Sequence, residues 1–308
     1  MIALSIVVVA YNEKAFIQET LRRMLHAMSG SSLNYEILVV DNGSTDETAS
    51  MAAAFQTVQV LRLGRRVTIS SARNIGASRT RGELLAFIDA DVFVTSEWAR
   101  HVETKIRGLL AGGAIVTGGQ YRVSENPSWI ERNWFKSMEE RLPNYINGGN
   151  VIVTRKTFEK VNGFRSDLVT GEDVDLCRRA RVAGGRIEPD AGFAVHHEGY
   201  PKTLDSFFRR ELWAGRGDYS SFSAFRASKT ATTGVAVLLL LIASVILAAL
   251  GAWPWSLAAL ASVLLIAVAS VQFKYGFRSL PRFVSNTAIM ILHLIARSLS
   301  FLRYEKKT

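Results

Sequence analysis

The sequence predicts an α/β domain on a mostly parallel sheet with helices on both faces, followed by a helical membrane anchor. Three observations predict it. Short Val/Ile/Leu runs alternate with stretches of helical apolar spacing through the first 90 residues, the pattern of βαβ units. Each apolar run stops at polar or acidic residues, which places reactive side chains at the carboxyl edge of the sheet, where such folds bind ligands. Residues 231–273 contain no Asp, Glu, Lys or Arg, so neither predicted helix there has a polar face for water.

Residues 3–10 form the first strand and stop at Tyr11-Asn12-Glu13. No Lys or Arg precedes this run and no small-residue cleavage site follows it, so a strand explains it better than a secretion signal. Phe16, Ile17, Leu21, Met24, Leu25 and Met28 recur at helical spacing, and the helix closes at Gly30. Residues 36–40 are the second strand, ending at Asp41. The turn Asp41-Asn42-Gly43-Ser44-Thr45-Asp46 follows, and Ser44 and Glu47 are spaced as a capping box for the next helix. Residues 58–63 are a third strand, 70–79 a helix, and Gly82 breaks that helix before the apolar run 84–88.

That run ends in Asp89-Ala90-Asp91. Residues i and i+2 of a strand point the same way, so both acids can face one spot while Ala90 faces the other side. Two hard oxygen donors suit Mg²⁺ or Mn²⁺, and such a cation suits a diphosphate. Farther on, Trp129, Ile130, Trp134, Phe135, Met138 and Leu142 have near-helical spacing; with Arg132, Lys136 and Arg141 among them they fit a core helix or one at the lipid headgroup level. Gly148-Gly149-Asn150 predicts a tight turn, Gly171-Glu172-Asp173 opens a helix over 174–183, and residues 191–195 read as a strand leading to His196-His197. Neighbouring strand residues face opposite ways, so at most one of the two imidazoles reaches a given site.

Residues 231–251 and 256–273 are each long enough to cross a hydrocarbon core of about 30 Å, with Trp253-Pro254-Trp255 as the turn between them. Residues 283–302 read as an interfacial amphipathic helix, with a third span as the alternative. The expected division is a catalytic domain over 1–225 and an anchor over 226–308. The chain carries a net charge of +10, and beyond residue 230 seven Lys/Arg face one acid. Basic residues flanking apolar spans attract anionic lipid; nucleic acid is not the expected partner, because no basic patch with interleaved aromatics occurs. Arg226, Lys229, Lys274 and Arg278 flank the hairpin and its loop is uncharged, which puts the catalytic domain on the cytoplasmic face of the cell membrane. The one cysteine, Cys177, excludes an intrachain disulfide.

Taken together, Tyr11-Asn12-Glu13, Asp41 to Asp46, Ser71-Ala72-Arg73-Asn74-Ile75-Gly76, Asp89-Ala90-Asp91, Gly148-Gly149-Asn150 and Gly171 to Leu176 resemble family 2 glycosyltransferases of the GT-A fold. The resemblance covers roughly the first 200 residues, with the motifs in the family's order. It implies a metal-dependent, inverting transfer of one sugar from a nucleotide donor, a UDP-sugar being favoured. Asp41 would bond the base, and Ala10, Tyr11, Glu13, Arg73, Asp89 and Ala90 would line the rest of the donor site. Asp91 would bind Mn²⁺ or Mg²⁺ directly, with His196 or His197 completing the site. Asp173 would be the general base, with Glu172 in reserve. Gly149, Asn150 and Trp213 would meet the acceptor, a lipid or lipid-linked saccharide. Processive members carry Gln-x-x-Arg-Trp near Arg209-Arg210-Glu211-Leu212-Trp213; this chain departs from it, which argues against polymer synthesis. A polyprenyl-phosphate acceptor, a sugar-1-phosphate nucleotidyltransferase and a silent nucleotide-binding scaffold are the alternatives. The nucleotidyltransferase would need a Gly-rich, basic loop after the first strand, and Tyr11-Asn12-Glu13 is not one.

Overall fold

The computed structural model describes residues 2–112, 115–139, 145–168 and 170–303. Along the chain run β1 (Leu4–Ala10), α1 (Ile17–Met28), β2 (Tyr35–Asp41), α2 (Thr48–Ala53), β3 (Val58–Arg62), α3 (Ile69–Arg79), β4 (Leu84–Asp89), β5 (Val92–Phe93) and α4 (Ser96–Ala111). There follow β6 (Ile115–Gly118), β7 (Tyr121–Arg122), a π-helical turn Glu131–Phe135 continued by α5 (Lys136–Glu139), β8 (Asn150–Thr154), α6 (Arg155–Lys160), α7 (Glu172–Val182), β9 (Arg186–Pro189) and β10 (Val195–His197). The remaining helices are α8 (Leu204–Ala214), α9 (Phe222–Ala227), α10 (Lys229–Ala249), α11 (Trp253–Tyr275) and α12 (Leu280–Ser298).

Two compact units result, one of Met1–Glu125 with Arg141–Gly199, the other of Asn126–Glu140 with Tyr200–Thr308. The expected division at 225/226 therefore runs through the second unit, which also takes the Trp134 helix. The outer part of that expected helix, Arg141 and Leu142 included, lies outside the described residues.

In the first unit a seven-stranded sheet has the order β3-β2-β1-β4-β8-β6-β9. The first four strands are parallel, β8 is antiparallel to both its neighbours, and β9 is parallel to β6. Alternation along the strands divides the core. Leu4, Ile6, Val8, Ile37, Val39, Leu84, Ala86 and Ile88 pack under α1 and α4, against Ile17, Leu21, Met24, Trp98 and Val102. Val7, Val9, Leu38, Val40, Leu85 and Phe87 pack under α3, α6 and α7, against Ala72, Phe158, Leu176 and Cys177. A strand buried on both faces has to read as an unbroken apolar run, which is why these strands are legible in sequence. Register does the rest: Ala10 pairs with Asp41 and Val9 with Asp89, so three strand ends come level at one edge. Antiparallel β8 starts at that same edge, with Asn150 opposite Ile88.

Several local expectations change. Ser44 and Glu47 form no capping box; Glu47 is itself the N-cap residue, without a side-chain cap. The Asp46 carboxylate instead accepts from Thr48 N at 3.0 Å, and the Ser44 hydroxyl accepts from Asn12 N at 2.9 Å. Residues 191–193 are a 3-10 turn held by Asp190, and the strand proper carries both histidines. A second, three-stranded sheet, β5-β10-β7, places it beside the segment that follows Asp91.

In the second unit α10, α11 and α12 pack on one another. All three, taking the last as 280–302, are long and apolar enough to cross a membrane. Trp253 and Pro254 open α11, and the reversal falls at Gly251, whose φ of 76° a side chain would resist. The Ser244 and Ser256 hydroxyls bond each other at 3.0 Å across the hairpin. Gly234 lets α10 approach α12 so closely that an added Cβ would press on the Leu294 carbonyl. The polar residues of α12 do not face outward, as an interfacial helix would turn them. Asn286 donates to the Ser137 hydroxyl and His293 bonds Glu211, both inside the unit.

Candidate active site

The level edge of β1, β2 and β4 brings the first acids together. Asp41, 4% exposed, accepts a hydrogen bond from Ser44 N at 3.3 Å, which shapes the turn after β2. That turn is tied to the one after β1: Asn12, with φ of 56°, accepts from Thr45 N at 2.8 Å while its own N–H goes to Ser44. Asparagine tolerates this left-handed backbone better than other side chains. A cavity of about 500 Å³ opens along the turn, lined by Asp41, Gly43, Ser44, Asp46, Arg62 and Arg65, within the size range of small-ligand pockets. Beside it the Arg66 guanidinium lies 3.9 Å from the Tyr11 ring centroid. Ala10 and Ala90 are buried and offer a site only their backbone.

Arg73, expected at the donor, is engaged with two acids of the protein. It projects from α3 into the protein, 2% exposed, with Nη2 2.7 Å from Asp89 Oδ1 and Nη1 2.8 Å from Glu172 Oε1. Phe164 packs against the guanidinium. Burial disfavours its charge, but the two carboxylates outweigh that and raise its pKa. This guanidinium therefore joins the acid at the end of β4 to the acid at the start of α7.

The turn Gly148-Gly149 closes the same gap from above. Asp89 N donates to Gly149 O at 3.2 Å, and Gly148 N donates to Asp173 Oδ2 at 3.1 Å. A Cβ at Gly149 would overlap the Asp89 carboxylate and the Tyr121 hydroxyl, so only glycine fits. Asp173 is half-buried, and its Oδ1 accepts from Val174 N at 2.8 Å. Burial and the neighbouring Glu172 charge push its carboxyl above the usual range, against the pull of those two N–H groups and Arg73. Glu172, engaged with Arg73, is less available as a base. Asn150 departs from the expected acceptor contact. Fully buried, it accepts from Trp98 Nε1 at 3.2 Å and donates to the Gly119 and Phe193 carbonyls, so its amide is used up holding β8 in place. Trp213 lies on α8 in the other unit, 47% exposed.

The two histidines part as strand alternation requires. His196 Nδ1 turns to the Val123 carbonyl at 2.8 Å, while His197 Nε2 lies 3.5 Å from Asp91 Oδ2. The Tyr121 ring lies tilted against His197 with centroids 4.8 Å apart, and Gly199 passes so close to Asp91 that a Cβ there would overlap its carboxylate. Glu13 faces this acidic group; burial and the charges of Asp91, Asp89 and Asp46 push its carboxyl up to about 8. Crowded acids beside an imidazole are a donor set that a hard divalent cation fits. Among the described residues no three His, Cys, Asp or Glu side chains close on one point. Asp91 and His197 would thus give a cation two protein ligands, leaving its other positions to substrate oxygens and water, as Mg²⁺ commonly keeps them. Sequence reading missed Arg66, Tyr121 and Gly199, and gave Asn12 no role of its own within its motif. Of these only Asn12 carries a local signal, an Asn at a strand end; the others act through approaches between segments distant in sequence.

The family model described as Glycosyl transferase family 2 matches residues 5–160, and that described as Glycosyl transferase family group 2 matches residues 122–296. Glycosyltransferase AglE of Haloferax volcanii is 30% identical over 190 residues, 58% of this chain and 62% of that protein. Beta-monoglucosyldiacylglycerol synthase of Nostoc is 27% identical over 229 residues, 69% of this chain and 48% of that protein. The chain thus spans less than two thirds of the length of either relative. Among solved structures, mannosyltransferase PcManGT from Pyrobaculum calidifontis, in complex with GDP-Man and Mn²⁺, superposes with a TM-score of 0.57 at 19% identity, covering 97% of this chain and 86% of that one. Residues 1–349 of S. aureus TarS give 0.52 at 18% identity, covering 69% and 64%. At these identities the two structures speak for the fold alone.

Proposed function

The chain belongs to glycosyl transferase family 2, and on that premise we propose that it transfers a single sugar from a nucleotide-sugar donor to a membrane-associated lipid or lipid-linked saccharide, with inversion and with a divalent cation. The observation that carries this reading is the join through Arg73 and the Gly148-Gly149 turn, which sets the Asp89/Asp91 end of β4 beside Asp173. One group can then hold a diphosphate while the other takes a proton.

Asp41 accepts from the base, Tyr11 and Glu13 border the nucleoside, and Asp89 faces the ribose. Asp173, its pKa raised toward working pH, takes the proton of an acceptor hydroxyl as that oxygen attacks the anomeric carbon. The new C–O bond forms as the bond to the diphosphate breaks, the electron pair leaves with the diphosphate, and the proton passes from Asp173 to water. A single displacement inverts the anomeric centre. A Mn²⁺ or Mg²⁺ on Asp91 and His197 supplies, when bound, positive charge against the departing diphosphate.

A hydroxyl acceptor is favoured over a polyprenyl phosphate, because a phosphate already carries its nucleophilic charge and has no use for Asp173. The relative named beta-monoglucosyldiacylglycerol synthase supports a lipid, as do three helices long and apolar enough to cross a membrane. Basic flanks at Arg226, Lys229, Lys274 and Arg278 favour a cytoplasmic site on a multi-pass inner-membrane protein, where nucleotide sugars are found. A UDP-sugar is the favoured donor.

The test is nucleoside diphosphate release by the detergent-solubilised full chain across a panel of nucleotide sugars, with and without a membrane lipid extract. Release that needs the extract, stops with EDTA and returns with Mn²⁺ or Mg²⁺ is expected. Release indifferent to lipid and chelator overturns the reading.

A further inference from the structure

Lys274 stands in the last turn of α11, where the apolar run ends. A lysine at such a place ordinarily extends its ammonium to water and headgroups. Here it folds back over aromatic rings, 4.4 Å from the Trp134 centroid and 5.2 Å from that of Tyr275. Trp134 is 2% exposed and held edge-on by Phe207 and Tyr275, so the ammonium rests on a fixed wall.

Ring faces attract a cation but do not satisfy three N–H donors. Among the described residues Lys274 has no hydrogen-bond acceptor and no ion-pair partner. Three described carboxylates of the unit are engaged with other cations. Glu211 takes Arg210 at 2.8 Å and His293 Nδ1 at 3.0 Å, Asp218 pairs with Arg297, and Glu131 takes Lys202 at 2.8 Å. Arg210 and Arg297 lie close enough to act on the Lys274 charge. The local group of Arg210, Lys274 and Arg297 against Glu211 and Asp218 is left one positive charge in excess. A partly desolvated ammonium short of acceptors is costly by itself and favours an anion that completes it.

We propose that the second unit carries a phosphate-binding site on Lys274, filled by the phosphate of an anionic lipid headgroup. The ammonium is a compact charge suited to a phosphate oxygen, and Trp134 and Tyr275 are the residue types that settle at headgroup level. Phe273 and Phe277, on either side of Lys274 in the chain, are 83% and 60% exposed and can lie along the acyl chains of the same lipid. Inorganic phosphate shares the headgroup chemistry but gains nothing from those rings.

The test titrates the full chain in neutral detergent with fluorescent short-chain phosphatidic acid, without nucleotide sugar, so its result is independent of sugar transfer. Saturable binding is expected, resisted by phosphatidylcholine as competitor, with inorganic phosphate far weaker. Lys274→Met should weaken binding by about tenfold or more, and Lys274→Arg should keep most of it. Without lipid, Lys274→Met should melt at the wild-type temperature or above, since it removes a charge lacking acceptors. A lysine that only props the rings predicts the reverse, a lower melting temperature with lipid affinity intact. Wild-type affinity in Lys274→Met, equal binding of phosphatidylcholine, or inorganic phosphate binding as tightly as the lipid each overturns the proposal.

Discussion

At Arg73 one buried guanidinium serves two carboxylates that are 83 residues apart in sequence, Asp89 and Glu172. Removing it strands both acids. Arg73→Gln is expected to destabilise the protein by on the order of 3 kcal/mol, read as a lower melting temperature, whereas a surface arginine such as Arg209 should tolerate the same change. Asp173 behaves oppositely. Its carboxyl pKa is raised by burial and by Glu172, so the charged form is disfavoured in the fold relative to the unfolded chain. That penalty is present at neutral pH and disappears as pH falls below the ordinary aspartate range. Asp173→Asn should therefore cut turnover by about 10²-fold or more while melting no lower than wild type at pH 7. The difference in melting should shrink toward pH 4. Glu172→Gln separates the two acids: it should slow the reaction yet keep the acid limb of the pH profile, which Asp173→Asn should abolish.

The elements bring these side chains into register. Three parallel strands end level because their registers align Ala10 with Asp41 and Val9 with Asp89, and antiparallel β8 returns to that edge with the Gly148-Gly149 turn before it. The turn works by the absence of a side chain. Gly149→Ala would force the Asp89 carboxylate and the Tyr121 hydroxyl aside, and diphosphate release should fall at least tenfold. Gly30→Ala, with open space around the added Cβ, should leave it unchanged. The strand β10 shows how an element can be legible while its extent is not. Val195, His196 and His197 pair with two short strands, and no run of three residues announces a strand by periodicity.

At the scale of the whole molecule, the second unit carries the three helices long and apolar enough to cross a membrane. Its helices expose Leu239, Val245, Leu257, Leu265 and Phe273, apolar surface that lipid covers and water would not. Attachment by buried apolar area should survive salt, whereas attachment by basic flanks alone is screened at about 1 M ionic strength, where the Debye length is about 3 Å. The protein should stay with membranes in high salt and in alkaline carbonate and leave only with detergent; release by salt would mark a peripheral protein.

Strands β1, β2 and β4, the acids at their ends and the two most apolar helices were readable in the sequence alone. Each is written in consecutive residues: a strand buried on both faces must be apolar throughout, and a lipid-facing helix must lack charge. Only the tertiary structure decided that Arg73 pairs with two acids, that Asn150 holds the core together, that His197 and not His196 turns to Asp91, and that the polar face of the last helix points inward. Those outcomes depend on which distant segments meet, and the partner that satisfies a buried polar group is chosen by packing, which no local pattern encodes.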